Sequence, residues 1–163
     1  MKRMKKIVLT LFVVLASYAS MLAQTTPVNN RHHITCLGTE MDGSQTLRVL
    51  GYGRNRGDAK EQAMKNAVWA VIFEGIREGA EGCNMRPLVT EVNARERYEE
   101  YFNRFFADGG AFMEYVSLRD TKKRSADRRK DKVGYTYEMT IRVLRSELKA
   151  RLKADNVISN DHL

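Results

Sequence analysis

The sequence predicts an α+β fold, with a mainly antiparallel four-stranded sheet, helices packed on one face, and the element order β-β-α-α-β-β-α. Three observations predict it. An Asp-Gly pair separates two short apolar runs, which is typical of a β-hairpin. Residues 133–143 alternate apolar and polar side chains with period two, and two intervening segments show helical spacing of apolar residues. Hairpin-joined strands with helices between them favour an antiparallel sheet covered on one side.

The first two elements form the predicted hairpin. Residues 33–39 and 47–53 are predicted strands, and Asp42 and Gly43 lie in the connection between them. An Asp-Gly pair between two apolar runs is a strong signal for a hairpin. The two strands are therefore expected to pair antiparallel.

A helix is predicted next, from Ala59 to about Gly75. Asp58 is the expected N-cap, and Glu61 completes a capping box. Four small residues share one narrow face of this helix: Ala59, Ala63, Ala67 and Ala70. Because small side chains let a helix backbone approach a sheet or another helix closely, we interpret this face as a buried packing surface.

The second half of the chain is predicted to form a helix over 92–107, strands over 111–119 and 133–143, and a last helix over about 146–155. Aromatic residues recur with helical spacing in the first of these elements: Tyr98, Tyr101, Phe102, Phe105 and Phe106. Core packing is their expected role, and an exposed part of the stripe would be a partner-binding face.

A strongly basic connection, 121–132, is predicted as the long tip between the last two strands. It contains seven basic residues: Lys122, Lys123, Arg124, Arg128, Arg129, Lys130 and Lys132. Two interpretations stay open. The charge keeps an exposed hairpin soluble and protects strand edges, or it forms an anion-binding or partner-binding surface together with Arg54 and Arg56.

The N-terminus has the features of a secretory signal peptide, 1–23. Four basic residues precede an apolar run from Ile7 to Ala16, and small residues follow. This run is shorter than the roughly 20 residues that span a bilayer. Cleavage is expected after Ala23 or, alternatively, after Ala19, and no cysteine stands where a lipid would be attached. We therefore expect an exported protein that is not lipidated.

Removal of the signal peptide leaves 140 residues, enough for a single domain. We expect this domain at 32–155, between a flexible N-terminus at 24–31 and a flexible tail at 156–163. The whole chain has a formal charge of +8, and loss of the four basic residues in the signal peptide leaves +4. This mild excess does not indicate nucleic acid as a partner.

Two cysteines, Cys36 and Cys83, lie outside the signal peptide. An oxidising compartment favours a disulfide between them, and two separate buried thiols are the alternative. No CxxC pair is present, and the adjacent His32 and His33 would point to opposite faces of a strand. We expect neither a metal nor a cofactor.

The segment 51–57, GYGRNRG, joins a predicted strand to a helix and so invites comparison with nucleotide-binding loops. Its spacing is GxGxxxG, whereas dinucleotide-binding folds use GxGxxG within a parallel βαβ unit. We interpret the glycines as a tight connection into a helix, with anion binding by Arg54 and Arg56 as the alternative. The sequence contains no motif that pairs a nucleophile with a general base, so nothing in it indicates an enzyme.

The run VLGYG at 49–53, followed by the alanine spacing of the helix, resembles small exported bacterial proteins related to the LPP-twenty lipoproteins and to the N-terminal domain of flagellar assembly protein T. The resemblance covers about residues 47–73, and the missing lipobox departs from the lipoprotein members. It implies an α+β envelope module without catalysis and brings no catalytic residues.

Two hypotheses about function follow. The first is a non-enzymatic protein of a Gram-negative envelope, periplasmic or associated with the outer membrane, that acts as a structural or assembly module through contacts with another envelope protein. The alternative is a binding module for an anionic membrane lipid headgroup or an acidic glycan, which uses the basic 121–132 tip.

Overall fold

A computed structural model describes the chain over residues 34–119, 128–130 and 134–159. The predicted signal peptide 1–23, the N-terminal segment 24–31 and the two adjacent histidines lie outside these ranges. Four basic residues of the predicted tip also lie outside them: Lys122, Lys123, Arg124 and Lys132.

Within the described residues, six strands form one mixed sheet. They are β1 (Thr35–Thr39), β2 (Gln45–Gly53), β3 (Glu78–Gly79), β4 (Val116–Ser117), β5 (Arg128–Lys130) and β6 (Tyr135–Val143). Five strands lie in the order β3-β1-β2-β6-β4, and β5 also pairs with β6. The pairing of β1 with β3 is parallel, and the other pairings are antiparallel.

Four α-helices accompany the sheet in the same ranges. They are α1 (Arg56–Trp69), α2 (Ala94–Arg97), α3 (Glu99–Phe105) and α4 (Arg145–Ala154). A π-helical turn, Ala70–Glu74, continues α1, and a 3₁₀ turn, Ala111–Tyr115, precedes β4. The predicted α+β class is confirmed, while the simple four-stranded arrangement is wrong in its details.

The predicted third strand, 111–119, is the largest of these differences. Its first five residues form the 3₁₀ turn, and only Val116–Ser117 pair with β6. Phe112 and Tyr115 are both buried, although they would point to opposite faces of a strand. A 3₁₀ turn places residues three apart on the same side, so both rings reach the core.

The sequence predicts that residues 121–132 form the long tip of a hairpin, and this prediction is wrong for Arg128–Lys130, which form β5. The backbone of Arg128–Lys130 pairs with β6, in the register Arg128↔Tyr137 and Lys130↔Tyr135. This pairing satisfies backbone groups at the outer edge of β6, which an open loop would leave exposed.

The predicted helix over 92–107 is divided into α2 and α3 at Tyr98, which has non-helical dihedral angles (φ −111°, ψ 31°). The hydroxyl of Tyr98 donates to the carbonyl of Asn156, just after the end of α4, at 3.0 Å. Val157 is buried, and its N–H donates to the carbonyl of Leu152. Val157, which lies within the predicted tail 156–163, therefore packs against the domain.

Helix α1 begins three residues earlier than predicted. Asn55, not Asp58, is its N-cap, because the side-chain oxygen of Asn55 accepts from the Asp58 N–H at 3.0 Å. Asn is as effective as Asp at this position. Glu61 does not close a capping box but accepts from the Gly109 N–H at 3.0 Å.

The alanine face of α1 packs on the sheet, as predicted. All four alanines are buried: Ala59, Ala63, Ala67 and Ala70. The Asn66 side chain, also buried, donates to the Leu50 carbonyl of β2 at 3.0 Å. From α3, Phe102 and Phe105 enter the same core, so the predicted packing role of the aromatic stripe is confirmed for these two rings.

Candidate functional site

Two of the three glycines in the GYGRNRG segment, Gly51 and Gly53, are used for packing. A side chain on Gly51 would collide with the backbone of α1 at Ala59 and Ala63, and one on Gly53 would collide with Asp58 and Ala59. Neither glycine is among the residues with positive φ, so the requirement is for space and not for an unusual backbone conformation. The glycines of β2 and the alanines of α1 form one close helix–sheet contact.

Sheet register brings the arginines of this segment to the same end of the sheet as the β5–β6 hairpin. Strand β6 lies between β2 and β5, with Gly53 opposite Tyr135 and Tyr135 opposite Lys130. Neighbouring strands are about 4.8 Å apart, so the end of β2 lies about 10 Å from β5. Arg54 follows Gly53 directly. We call this region the basic end, defined by Arg54, Arg56, Lys60 and the backbone of Arg128–Lys130.

The cations of the basic end are held in two different ways. The Arg54 side chain is 95% exposed, and its Nε lies 3.5 Å from Asp58 Oδ2, an exposed ion pair that contributes little to stability. Arg56 and Lys60 lie over the ring of Tyr137, at 5.6 and 5.5 Å from its centroid. Because an aromatic ring attracts cations through its quadrupole, this contact positions both charges without neutralising them.

One exposed aromatic residue accompanies these cations. Tyr52 is 50% exposed and lies in the strand segment that leads into Arg54. It pairs in register with Thr136, which is opposite Arg129 of β5. Because side chains alternate along a strand, Tyr52 lies on the face of the sheet opposite to Tyr137, so the basic end has cations on one face and an exposed ring on the other.

The opposite end of β2 has a different chemistry. The turn between β1 and β2 places Glu40 and Asp42 there, and Asp42 Oδ1 accepts from the Ser44 N–H at 2.8 Å and from its hydroxyl at 2.6 Å. These hydrogen bonds, aided by the charge of Arg142, hold the pKa of Asp42 below its usual value. An Arg142–Glu40 ion pair of 3.3 Å lies beside this turn.

A buried arginine at this end was not anticipated from the sequence. Arg145, the first residue of α4, is 8% exposed. Its Nη1 donates to Gln45 Oε1 at 3.3 Å, and its Nη2 donates to the Arg86 carbonyl at 2.6 Å. Burial lowers the pKa of Arg145, yet an arginine remains charged at any physiological pH. The one available sequence clue is Gln45, a polar residue two positions before Leu47 and hence on the inward face of β2.

Cys36 and Cys83 form a disulfide, the first of the two alternatives that the sequence leaves open. Their Cα atoms are 6.3 Å apart, and the bond attaches the loop after β3 to β1. Gln45 Nε2 donates to the Asn84 carbonyl at 3.0 Å in the same loop. The crosslink and the Arg145 hydrogen bonds therefore hold one loop at this end of the sheet. We call it the closed end, defined by Gln45, Arg145 and the Cys36–Cys83 disulfide.

Among residues 34–119, 128–130 and 134–159, no three His, Cys, Asp or Glu side chains are grouped so that they could hold a metal ion. No helix in the described part of the chain is both long enough and apolar enough to cross a membrane. Comparisons with family models, curated proteins and solved structures find no match for this chain.

Proposed function

We propose that this chain is a non-enzymatic, exported protein of the Gram-negative envelope that acts as a structural or assembly module through protein contacts. The observation that carries the proposal is the joint placement of Arg54, Arg56 and the β5–β6 hairpin at one end of a crosslinked domain. A rigid body with one exposed charged surface suits the task of binding a partner.

The residues that invite a catalytic interpretation have structural uses. Gly51 and Gly53 make room for α1. Cys36 and Cys83 form the disulfide, so neither offers a free thiol as a nucleophile. These assignments favour binding over chemistry as the task of the domain.

The partner that best fits the basic end is an acidic surface on another envelope protein. Complementary charges increase the rate of encounter and select the orientation of docking. The two cations over Tyr137 are already positioned, so little side-chain freedom is lost when a partner binds.

An anionic ligand, either a lipid headgroup or an acidic glycan, is the second candidate. The observation that favours it is that the structure brings Arg54 and Arg56 beside β5, as the sequence-based hypothesis of a shared basic surface requires. Phosphate and carboxylate groups both match the planar guanidinium of arginine.

Purification of the tagged full chain from its native envelope tests these proposals. We expect a stoichiometric acidic protein with the wild type, and its loss with Arg54→Ser plus Arg56→Ser. The matched control is Arg97→Ser plus Arg104→Ser, which removes two exposed arginines from α2 and α3. Equal recovery of the partner by both variants would exclude the basic end as the contact surface, and a bound lipid or glycan in place of a protein would support the second candidate.

A further inference from the structure

We infer that the basic end is a docking surface for a bilayer rich in anionic phospholipids. This inference rests on the second candidate function and names the ligand of that site as the headgroup layer of a membrane. Three features of the described residues support it: the exposure of the cations, the position of one tyrosine, and the distribution of charge along the sheet.

Exposure is the first feature. Arg54 projects its side chain almost completely into solvent, and Arg56 is also exposed. Register places the backbone of β5 about 10 Å from the end of β2. Charges that are spread across an exposed end of the domain match a surface of many phosphates better than one small anion, which needs a concave site.

Tyr52 is the second feature. It is half exposed on the face of the sheet that points away from the helices, and it lies at the same end of β2 as Arg54. Tyrosine is suited to the boundary between headgroups and acyl chains because its ring is apolar and its hydroxyl is polar.

The third feature is the difference in charge between the two ends of β2. The far end contains the Glu40 and Asp42 turn, and Glu147 lies in the first turn of α4 beside it. The Ser146 hydroxyl donates to the Asp42 carbonyl at 3.1 Å, which fixes α4 next to that turn. The same end also contains Arg142, which is paired with Glu40, and the buried Arg145, so its charges largely cancel. An anionic membrane therefore attracts the basic end more strongly, and the domain would dock with its strands pointing at the bilayer.

Vesicle binding by the full exported chain measures the affinity. The probes are vesicles of phosphatidylcholine alone and vesicles with equal parts of phosphatidylglycerol and phosphatidylcholine. We expect binding only to the second kind, and weakening by salt as the Debye length falls from about 10 Å at 0.1 M to about 3 Å at 1 M. No binding to phosphatidylglycerol vesicles at low salt would overturn the inference.

Charge variants locate the surface. Each cation near an anionic membrane contributes about 5-fold in binding, so Arg54→Ser, Arg56→Ser and Lys60→Ser together are expected to weaken binding on the order of 100-fold. Arg54→Ser alone is expected to weaken it about 5-fold, and this exposed position does not endanger folding. An equal loss of vesicle binding in the control variant Arg95→Ser, Arg97→Ser and Arg104→Ser would show that the basic end is not the docking surface.

The control variant combines Arg95→Ser, Arg97→Ser and Arg104→Ser. It removes the same charge and, like the test variant, includes one arginine over an aromatic ring, because Arg95 lies 5.0 Å from the ring centroid of Trp69. Trp69 ends α1, about 20 Å from Arg56 at its start. We expect this variant to bind vesicles within about 2-fold of the wild type, since its cations would face away from the membrane.

Fluorescence tests the orientation. Trp69 is the single tryptophan, so we expect no quenching of the wild type by lipids that carry a quencher in the headgroup region. The variant Tyr52→Trp with Trp69→Phe is expected to be quenched. Quenching of Trp69 itself would show docking through another face and overturn the inference. Absence of vesicle binding together with a retained protein partner would reject the membrane and leave the assembly function standing.

Discussion

Arginine is used in opposite ways at the two ends of β2, which are roughly 26 Å apart across nine residues. At the closed end, Arg145 is buried and donates to two uncharged acceptors, Gln45 Oε1 and the Arg86 carbonyl. At the basic end, Arg54 and Arg56 are exposed, with an ion pair to Asp58 and a contact with an aromatic ring.

The difference separates residues that stabilise the fold from residues that are available for binding. Removing a buried donor leaves its acceptors without partners, at a cost of 1–3 kcal/mol for each group in typical proteins, here about 3 kcal/mol in total. Exposed ion pairs contribute about 0–1 kcal/mol. Substitutions at the closed end should therefore reduce stability, and substitutions at the basic end should change binding.

The disulfide has the largest expected effect. Replacing both Cys36 and Cys83 by Ser should lower the free energy of unfolding by about 4 kcal/mol, because the sequence separation of 47 closes a long loop in the unfolded chain. Denaturant titration measures this loss. The wild type under reducing conditions is the control and should lose the same amount, and a change below about 1 kcal/mol would mean that the loop is held without the crosslink.

Arg145→Met should lower the free energy of unfolding by about 3 kcal/mol, since the buried Gln45 and the partly buried Arg86 carbonyl would both lose their donor. Thermal and denaturant unfolding both measure the change. Lys149→Met on the exposed side of the same helix is the control and should change stability by less than about 0.5 kcal/mol. Similar free energies of unfolding for the two variants would contradict the conclusion that Arg145 stabilises the fold.

Ala67→Leu should cost about 2 kcal/mol, because Ala67 is fully buried on the face of α1 that packs on the sheet. The matched control is Ala150→Leu, which places the same side chain at an exposed position of α4. Equal unfolding midpoints for the two variants would contradict the close helix–sheet contact.

Arg54→Ser with Arg56→Ser should have the smallest effect on stability, less than about 1 kcal/mol, because one exposed ion pair and one cation–π contact are lost. Unfolding by denaturant checks this, alongside the binding measurements. A loss above about 2 kcal/mol would show that the basic end is part of the structural framework.

Much of the local structure was predictable from residues close together in the chain. The Asp-Gly turn, the alanine spacing of α1 and the alternation along β6 each act over a few residues, and each was confirmed. The errors occur where contacts between residues far apart in the chain determine the local structure. Phe112 and Tyr115 are drawn into the core by a 3₁₀ turn, and the helix over 92–107 is broken where Tyr98 bonds to the chain after α4.

The candidate site was predictable only in part. Arg54 and Arg56 were chosen from the sequence because they precede a helix, whereas Lys60 and Tyr137 were missed. Lys60 lies one turn along α1 from Arg56, and Tyr137 reaches both cations only because β6 pairs with β2. No spacing within a single segment reveals that contact.

The sequence by itself determined the fold class and the elements whose hydrogen bonds and apolar faces repeat locally, because periodicity and turn chemistry act over a few residues. Tertiary structure alone decided which distant groups meet. Cys36 lies 47 residues from its partner, and Arg145 lies 100 residues from Gln45. Such contacts depend on strand register and close helix–sheet packing, which depend on the whole core and not on any one segment.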